Sequence, residues 1–181
     1  MDKLGFIGMG NMAQALAAGF IKTNAIAPEK VFAFAPNQEK LQRNAENIGF
    51  TPVSSLAALA DAADTLIMAC KPYQIAGVLK DFGQKLNGKA LISVAAGWDM
   101  AHYQKFLQTD TRLQFVMPNT PALVGEGVLL FEENNSLEPA ERKQIMQLFA
   151  SVGLIQELPS NLMGIGGTVT GCGPAFVDLF I

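Results

Sequence analysis

The chain has 181 residues, of which half are hydrophobic and only 16% are charged, and its formal net charge at pH 7 is −3. This length suits one well-buried domain and part of another, while the weak negative charge argues against nucleic acid or an anionic membrane as a partner. The two cysteines, Cys70 and Cys172, lie far apart with no His or Cys at ligand spacing, which argues against a zinc site or a disulfide framework. A reduced, cytoplasmic protein is therefore expected.

The chain begins with a short apolar segment, predicted to be a strand, that breaks at Gly8-Met9-Gly10 and leads directly into an Ala-rich helix. With Ala13 in the third small position, this is the spacing of a G-x-G-x-x-A dinucleotide-binding turn. Gly8 allows a sharp turn, Gly10 lets backbone N–H groups approach a pyrophosphate, and Ala13 lets the helix pack closely on the strand. The pattern predicts cofactor binding, and a structural turn without a ligand is the alternative.

Predicted strands and helices then alternate along the chain. Apolar runs predict strands at Val31–Phe34, Thr65–Cys70, Leu91–Ala95 and Leu113–Met117, then one ending at Phe131 and one at Leu154–Leu158. Apolar periodicity and capping residues predict helices closed by Gly49, capped by Ser54-Ser55, spanning Ile75 to Phe82, capped by Asp99 and starting at Pro139. This alternation predicts an α/β protein with a Rossmann-type, doubly wound, mostly parallel sheet over residues 1–160.

Residues 161–181 follow a different pattern. The run Gly164-Ile165-Gly166-Gly167 is predicted to be flexible, and Pro174 is predicted to begin a new apolar helix that reaches Ile181. So short an apolar helix cannot stabilise itself in water, so it must continue or pack on a partner. We therefore expect these residues to be the truncated start of an all-helical domain.

In an open parallel sheet, ligands bind beyond the carboxyl ends of the strands. The candidate segments are therefore Gly8–Met12, Ala35–Asn37, Ala69–Pro72, Ala95–Gly97 and Met117–Thr120. An NAD site usually has an acidic residue after its second strand, whereas Ala35-Pro36-Asn37 has none and is followed by Lys40 and Arg43. This favours NADPH, with NADH possible; the two cations are alternatively only the solvated face of a helix.

No acid–base pair, metal cluster or activated nucleophile is evident in the sequence. His102, the only histidine, has no Ser or Cys placed to form a triad and is interpreted as a surface helix residue. Cys70 is interpreted as a small buried hydrophobe and Glu126 as a turn carboxylate, with a role near the cleft as the alternative for Glu126. Reduction of a protonated imine needs little acid catalysis from protein, because its carbon is already electrophilic, so the pattern suits that reaction.

The chain resembles the pyrroline-5-carboxylate reductases. The resemblance is carried by Phe6–Met12, Ala69–Pro72, Ser93–Gly97, Met117–Gly127 and Gly171–Ala175, in that order. The block Met117-Pro118-Asn119-Thr120-Pro121-Ala122-Leu123-Val124-Gly125-Glu126-Gly127 is the most specific of these. The chain departs from the family pattern at Gly167, where a Thr is usual, and at Thr170 and Cys172, where Ser is usual.

The resemblance implies NAD(P)H-dependent reduction of pyrroline-5-carboxylate to proline by a Rossmann domain followed by a helical domain through which the protein self-associates. The implied cofactor-binding residues are Ile7, Gly8, Met9, Gly10, Asn11, Met12, Ala35, Pro36, Asn37, Ala69, Cys70, Lys71, Pro72, Ala95, Ala96 and Gly97. Asn119 and Thr120 are implied to lie near the nicotinamide and substrate. The family's catalytic-site Thr and its carboxylate-binding loop are implied to lie downstream of Ile181, so these 181 residues are expected to bind cofactor without turnover.

Two other functions stay open at this point. One is a 3-hydroxyacid dehydrogenase of the 6-phosphogluconate type, which would need a catalytic Lys in its helical domain. The other is a non-catalytic NADPH-binding regulator, which would bind cofactor but reduce neither an imine nor a carbonyl. Activity of the full-length protein on an imine distinguishes the reductase from these two alternatives.

Overall fold

The computed structural model describes residues 2–98, 100–107 and 110–181, so the predicted cap at Asp99 lies outside the described residues. The strands are β1 (Leu4–Ile7), β2 (Val31–Phe34), β3 (Thr51–Pro52), β4 (Thr65–Met68), β5 (Ala90–Ser93), β6 (Arg112–Met117), β7 (Gly127–Glu132) and β8 (Gly153–Leu158). The α-helices are α1 (Asn11–Lys22), α2 (Gln38–Ile48), α3 (Leu56–Ala62), α4 (Pro72–Phe82), α5 (Met100–Tyr103), α6 (Pro139–Ala150) and α7 (Ser160–Asp178).

Within the described residues, the strands form one eight-stranded sheet in the order β3-β2-β1-β4-β5-β6-β7-β8. Neighbouring strands are parallel except β6 and β7, which pair antiparallel. The predicted doubly wound, mostly parallel sheet is therefore confirmed. The chain runs outward from β1 to β3 and returns to the other side of β1 as β4, which places the topological switch point between β1 and β4.

The central strands are buried along their whole length, as a parallel sheet covered by helices on both faces requires. One face packs on α1 and α6, where the rings of Phe20, Phe131 and Phe149 meet. The other face packs on α3, α4 and α5 through residues such as Leu59 and Tyr103. Because both faces are covered, the strand ends remain as the place where backbone groups can reach a ligand.

The carboxyl-terminal helix differs from the prediction. The expected flexible run at Gly164–Gly167 and the expected helix start at Pro174 are wrong, because α7 is continuous from Ser160 to Asp178 with Pro174 inside it. Close packing on the sheet explains the glycines: a β-carbon on Gly166 would lie 2.6 Å from Leu158 Cδ1, and one on Gly167 would overlap Met117 Sδ. Tertiary packing thus overrides the low helix propensity of these residues.

An ion pair joins α6 to β6 and makes the free energy of unfolding depend on pH. Arg112 contacts Glu141 through Nε–Oε2 at 2.8 Å and Nη2–Oε1 at 2.9 Å. The hydrogen bond from Arg112 lowers the pKa of Glu141 below its ordinary value. Because the folded pKa lies below the unfolded one, the pair's contribution is complete above the unfolded pKa of about 4.3 and disappears as pH falls through the folded pKa.

Glu141→Gln is therefore expected to lower the free energy of unfolding by about 1 kcal/mol at neutral pH, in the range of a charged hydrogen-bonded pair that is partly exposed. Below the folded pKa, the variant and the wild type are expected to unfold alike. Thermal denaturation at several pH values measures the difference, and Glu29→Gln at an exposed position is the control. A difference that stays constant down to acid pH would contradict this account.

Candidate functional site

The turn between β1 and α1 lies at the switch point and depends on Gly8. Gly8 has a φ of +94°, and a β-carbon there would lie 2.8 Å from the backbone nitrogen of Cys70 and 2.9 Å from its Cα. Its N–H donates to the carbonyl of Phe34 at 2.8 Å. The turn is thus fixed between the ends of β2 and β4, and only glycine fits this conformation at so close an approach.

The amino terminus of α1 is open to an anion. Gly10 is the N-cap residue, no side chain caps the helix, and the first turn holds no acidic residue. A β-carbon on Gly10 would have no atom within 4 Å, while Gln14 Nε2 donates to the Met9 carbonyl at 3.1 Å and steadies the turn. Backbone N–H groups and the helix dipole therefore point into open space, as a bound pyrophosphate requires. By contrast, at the start of α4 the Lys71 N–H donates to Gln74 Oε1.

The end of β2 carries no carboxylate. Ala35 is half-buried and Pro36 and Asn37 are exposed. Asn37 Oδ1 accepts the Lys40 N–H at 2.8 Å and so caps α2. The Lys40 side chain is exposed, whereas Arg43 lies 3.4 Å from Glu39 Oε1 in an exposed pair. Lys40, for which the structure describes no ion pair, therefore lies about one helical turn after the position where an NAD site usually has its acidic residue.

The ends of β4 and β5 continue the same edge of the sheet. The Ala69 N–H donates to the Ile7 carbonyl at 2.9 Å, and the Val94 N–H donates to the Met68 carbonyl at 3.1 Å. Burial raises the pKa of the Cys70 thiol to about 11. The thiol is therefore protonated at neutral pH, which argues against a thiolate nucleophile here. The sequence predicts a buried Cys70, whereas the residue is half-buried.

A buried hydroxyl pair supports this edge. Tyr103 Oη donates to Ser93 Oγ at 2.9 Å, and Ser93 Oγ also lies 3.4 Å from the Ala95 N–H. Burial raises the pKa of Tyr103 well above its ordinary value, so it stays a donor. The pair holds the chain just before Ala95–Gly97. The pair could not be predicted from the sequence, because neither residue is distinctive and they lie ten positions apart.

The four candidate cofactor segments follow four adjacent strands, so the structure brings them to one edge of the sheet. Their residues differ in exposure: the side chains of Ile7, Met9 and Ala95 are buried, which leaves the main chain as their available part. Gly10, Asn11, Lys71, Pro72, Ala96 and Gly97 are exposed, and Gly8, Met12, Ala69 and Cys70 are half-buried. Their contacts with a cofactor stay a prediction.

Comparison with known proteins identifies the family. Residues 3–97 match the family described as NADP oxidoreductase, coenzyme F420-dependent. A pyrroline-5-carboxylate reductase of Treponema pallidum is 34% identical over 98% of this chain and 69% of its own length, and that of Escherichia coli is 29% identical over 99% and 67%. The chain belongs to the pyrroline-5-carboxylate reductase family.

A solved relative carries the cofactor. The crystal structure of Plasmodium falciparum pyrroline carboxylate reductase with NADP bound has a TM-score of 0.88 and 34% identity, covering 98% of this chain and 65% of that one. The chain thus spans about two thirds of the length of these reductases. Family membership identifies an NAD(P)H-dependent oxidoreductase fold, and the residues above fit such a cofactor.

The segment implied to lie near the substrate follows β6. Thr120 is exposed, whereas Asn119 is only 8% exposed and uses both ends of its amide within the protein. Asn119 Oδ1 accepts the Val128 N–H at 2.8 Å, and Nδ2 donates to the Thr170 carbonyl at 3.1 Å. Of these two residues, Thr120 therefore has the side chain that is open to a ligand, and Asn119 joins segments of the chain.

The remaining candidates lie away from this edge or on its surface. His102 is exposed on α5, with its ring 6.0 Å from that of Trp98, and Glu126 is exposed in the loop before β7. In the part of the chain that the structure describes, no group of three or more His, Cys, Asp or Glu could hold a metal ion. Among the described helices, none has the length and apolar character needed to cross a membrane.

Proposed function

We propose that the full-length protein reduces 1-pyrroline-5-carboxylate to L-proline with NADPH as the hydride donor, and that this is the last step of proline biosynthesis. The observation that carries the proposal is family membership over nearly the whole chain, together with an open helix terminus at the sheet's switch point. The cofactor supplies one hydride to the C=N carbon of the protonated imine, whose nitrogen becomes the secondary amine of proline.

The chain's own residues bind and orient. Backbone N–H groups at the start of α1 hold the pyrophosphate, with Gly8 and Gly10 providing the turn and the space. The exposed small residues Ala96 and Gly97 allow a flat ring to lie close to the main chain. Because the neutral Cys70 thiol and the buried Tyr103 hydroxyl have raised pKa values, neither serves as a base here. Positioning of donor and acceptor is therefore the main contribution of this part of the protein.

Loss of NADPH absorbance with pyrroline-5-carboxylate tests the proposal on the full-length protein. Turnover is expected with the imine and not with 3-hydroxyacids and NADP. If the protein binds NADPH and leaves the imine untouched, the reductase proposal fails. Oxidation of a hydroxyacid would then favour the dehydrogenase alternative, and no reaction with either substrate would favour the regulator.

NADPH preference is expected to depend on Lys40. Its exposed ammonium group lies in the first turn of α2, beside Ala35–Asn37, where a 2′-phosphate would bind. Lys40→Ala is expected to raise the NADPH dissociation constant about fivefold at low salt, the usual size of one exposed ionic contact. NADH, which has no 2′-phosphate, is expected to bind unchanged. Lys80→Ala removes the same charge on α4 and is the control; equal weakening of both cofactors by Lys40→Ala would contradict the assignment.

Domain organisation, self-association and location belong to the same proposal. We place the Rossmann domain at residues 1–160 and the start of the helical domain at 161–181. Exposed apolar side chains on α7, including Ile165, Val169 and Phe176, support self-association through that domain. Light scattering of the full-length protein measures it, and a monomer at all concentrations would contradict it. Free cysteines support a cytoplasmic location.

A further inference from the structure

Pro174 leaves a carbonyl group in the middle of α7 without its helical partner. In an α-helix the N–H of residue 174 would donate to the carbonyl of residue 170, and proline has no N–H. The Thr170 carbonyl instead accepts Asn119 Nδ2 at 3.1 Å. A side chain from the loop after β6 thus supplies the hydrogen bond that the helix lacks.

The oxygen of the same Asn119 amide accepts a hydrogen bond from the sheet. Asn119 Oδ1 accepts the N–H of Val128, the second residue of β7, at 2.8 Å. Asn119 is 8% exposed, so both bonds are largely shielded from water. One side chain therefore joins three segments: the loop after β6, the start of β7 and the middle of α7.

Close packing brings the helix within reach of this amide. Met117 Sδ occupies the space that a β-carbon on Gly167 would fill, and Leu158 and Leu130 lie against Gly166. Gly166 and Gly167 lie on the same side of α7 as Thr170, since they are four and three positions before it. That side faces the sheet. The small residues allow the backbone of α7 to approach the sheet, and Asn119 bonds to that backbone directly.

We propose that Asn119 is a positioning residue, which holds α7 at a fixed distance from the cofactor edge through the carbonyl that Pro174 frees. This inference rests on the proposed reductase function. Asn119 immediately precedes Thr120, the exposed residue at that edge, so the bond couples the cofactor side of the site to α7. Both ends of its amide are engaged within the chain, which distinguishes this role from direct contact with substrate.

Four full-length variants test the proposal: Asn119→Ala, Pro174→Ala, the double variant and Asn161→Ala, an exposed Asn on α7 that serves as the matched control. Asn119→Ala is expected to lower kcat/KM for the imine about tenfold, because small misplacements of reacting groups are costly. Its dissociation constant for NADPH is expected to stay within about twofold of wild type. Asn161→Ala is expected to behave like wild type.

The double variant separates positioning from simple satisfaction of a carbonyl. With Ala at 174, its N–H can donate to the Thr170 carbonyl, so the part of the thermal stability that Asn119→Ala loses at this carbonyl is expected to return, whereas the part lost with the bond from the Val128 N–H is not. The link to α7 is still missing, so kcat/KM is expected to stay low. Recovery of kcat/KM in the double variant, an unchanged kcat/KM in Asn119→Ala, or an equal loss of NADPH affinity would each overturn the proposal.

Two further measurements keep the test informative. Asn119→Asp keeps an oxygen for the Val128 N–H but loses the donor to Thr170, so it tests the helix contact if the alanine variant does not fold. Hydrogen exchange of the amides in α7 is expected to be faster in both Asn119 variants, whether or not turnover is measured. If the wild type does not reduce the imine, the proposed function fails, and unchanged exchange in α7 would separately overturn the positioning role.

Discussion

Gly8→Ala is expected to destabilise the fold strongly, whereas Gly10→Ala is expected to weaken cofactor binding in a protein of normal stability. At Gly8 the backbone has a φ of +94°, and the new methyl group would lie 2.8 Å and 2.9 Å from two backbone atoms of Cys70. The unfavourable conformation costs about 1–2 kcal/mol and the overlap in a packed interior about 1–3 kcal/mol more. A loss of about 3 kcal/mol is a large part of the stability of an ordinary domain.

At Gly10 the situation is the reverse. Its φ of −78° and ψ of −174° suit any residue, and a β-carbon there would touch no atom of the chain within 4 Å. The methyl group would instead fill the space in front of the α1 amino terminus. We expect normal thermal stability and at least about a tenfold loss of NADPH affinity, which corresponds to about 1.4 kcal/mol.

Thermal denaturation and NADPH fluorescence titration of the full-length variants measure the two effects separately. Gly77→Ala in α4 is the control, because a β-carbon there would also meet nothing within 4 Å and it lies inside an exposed helix turn. This variant is expected to gain about 0.5–1 kcal/mol of stability and to bind NADPH normally. Normal NADPH affinity in Gly10→Ala would mean that the pyrophosphate does not lie at the start of α1.

The sheet could be predicted from the sequence because its signals are local. Buried parallel strands read as short apolar runs, and Ser55, Gly49 and Pro139 mark helix ends near where the structure has them. The antiparallel pairing of β6 with β7 gave no such signal, since apolar periodicity does not encode strand direction. The edge where the site lies follows from strand order, which the alternation of strands and helices largely determines.

Contacts between distant residues could not be predicted. The glycines and Pro174 in α7 have unfavourable local propensities, and their cost is offset by Met117, Leu158 and Asn119, which are remote in sequence. The same holds for the pair of Tyr103 and Ser93. The Gly-x-Gly turn was recognisable because its function imposes a fixed local spacing, whereas the role of Asn119 arises only when β6 and α7 meet.

Phe149→Ala is expected to give the other large loss of stability. The ring is fully buried on α6 and makes edge-to-face contacts with Phe20 of α1, at a centroid distance of 5.2 Å, and Phe131 of β7, at 5.4 Å. Removing a buried Phe side chain usually costs 3–5 kcal/mol, which includes the cavity that is left. For a domain of this size that corresponds to a fall in Tm of about 10 °C.

Phe106→Ala is the matched control, because that ring is 38% exposed on the opposite face of the sheet and its loss is expected to cost less than about 1 kcal/mol. Cofactor affinity well below the Tm is expected to be retained in both variants, since Phe20 lies more than two turns from the amino terminus of α1. A parallel loss of NADPH affinity in Phe149→Ala would show that packing of α6 on α1 sets the position of the Gly10 turn. The aromatic cluster would then be part of the binding site's support as well as of the core.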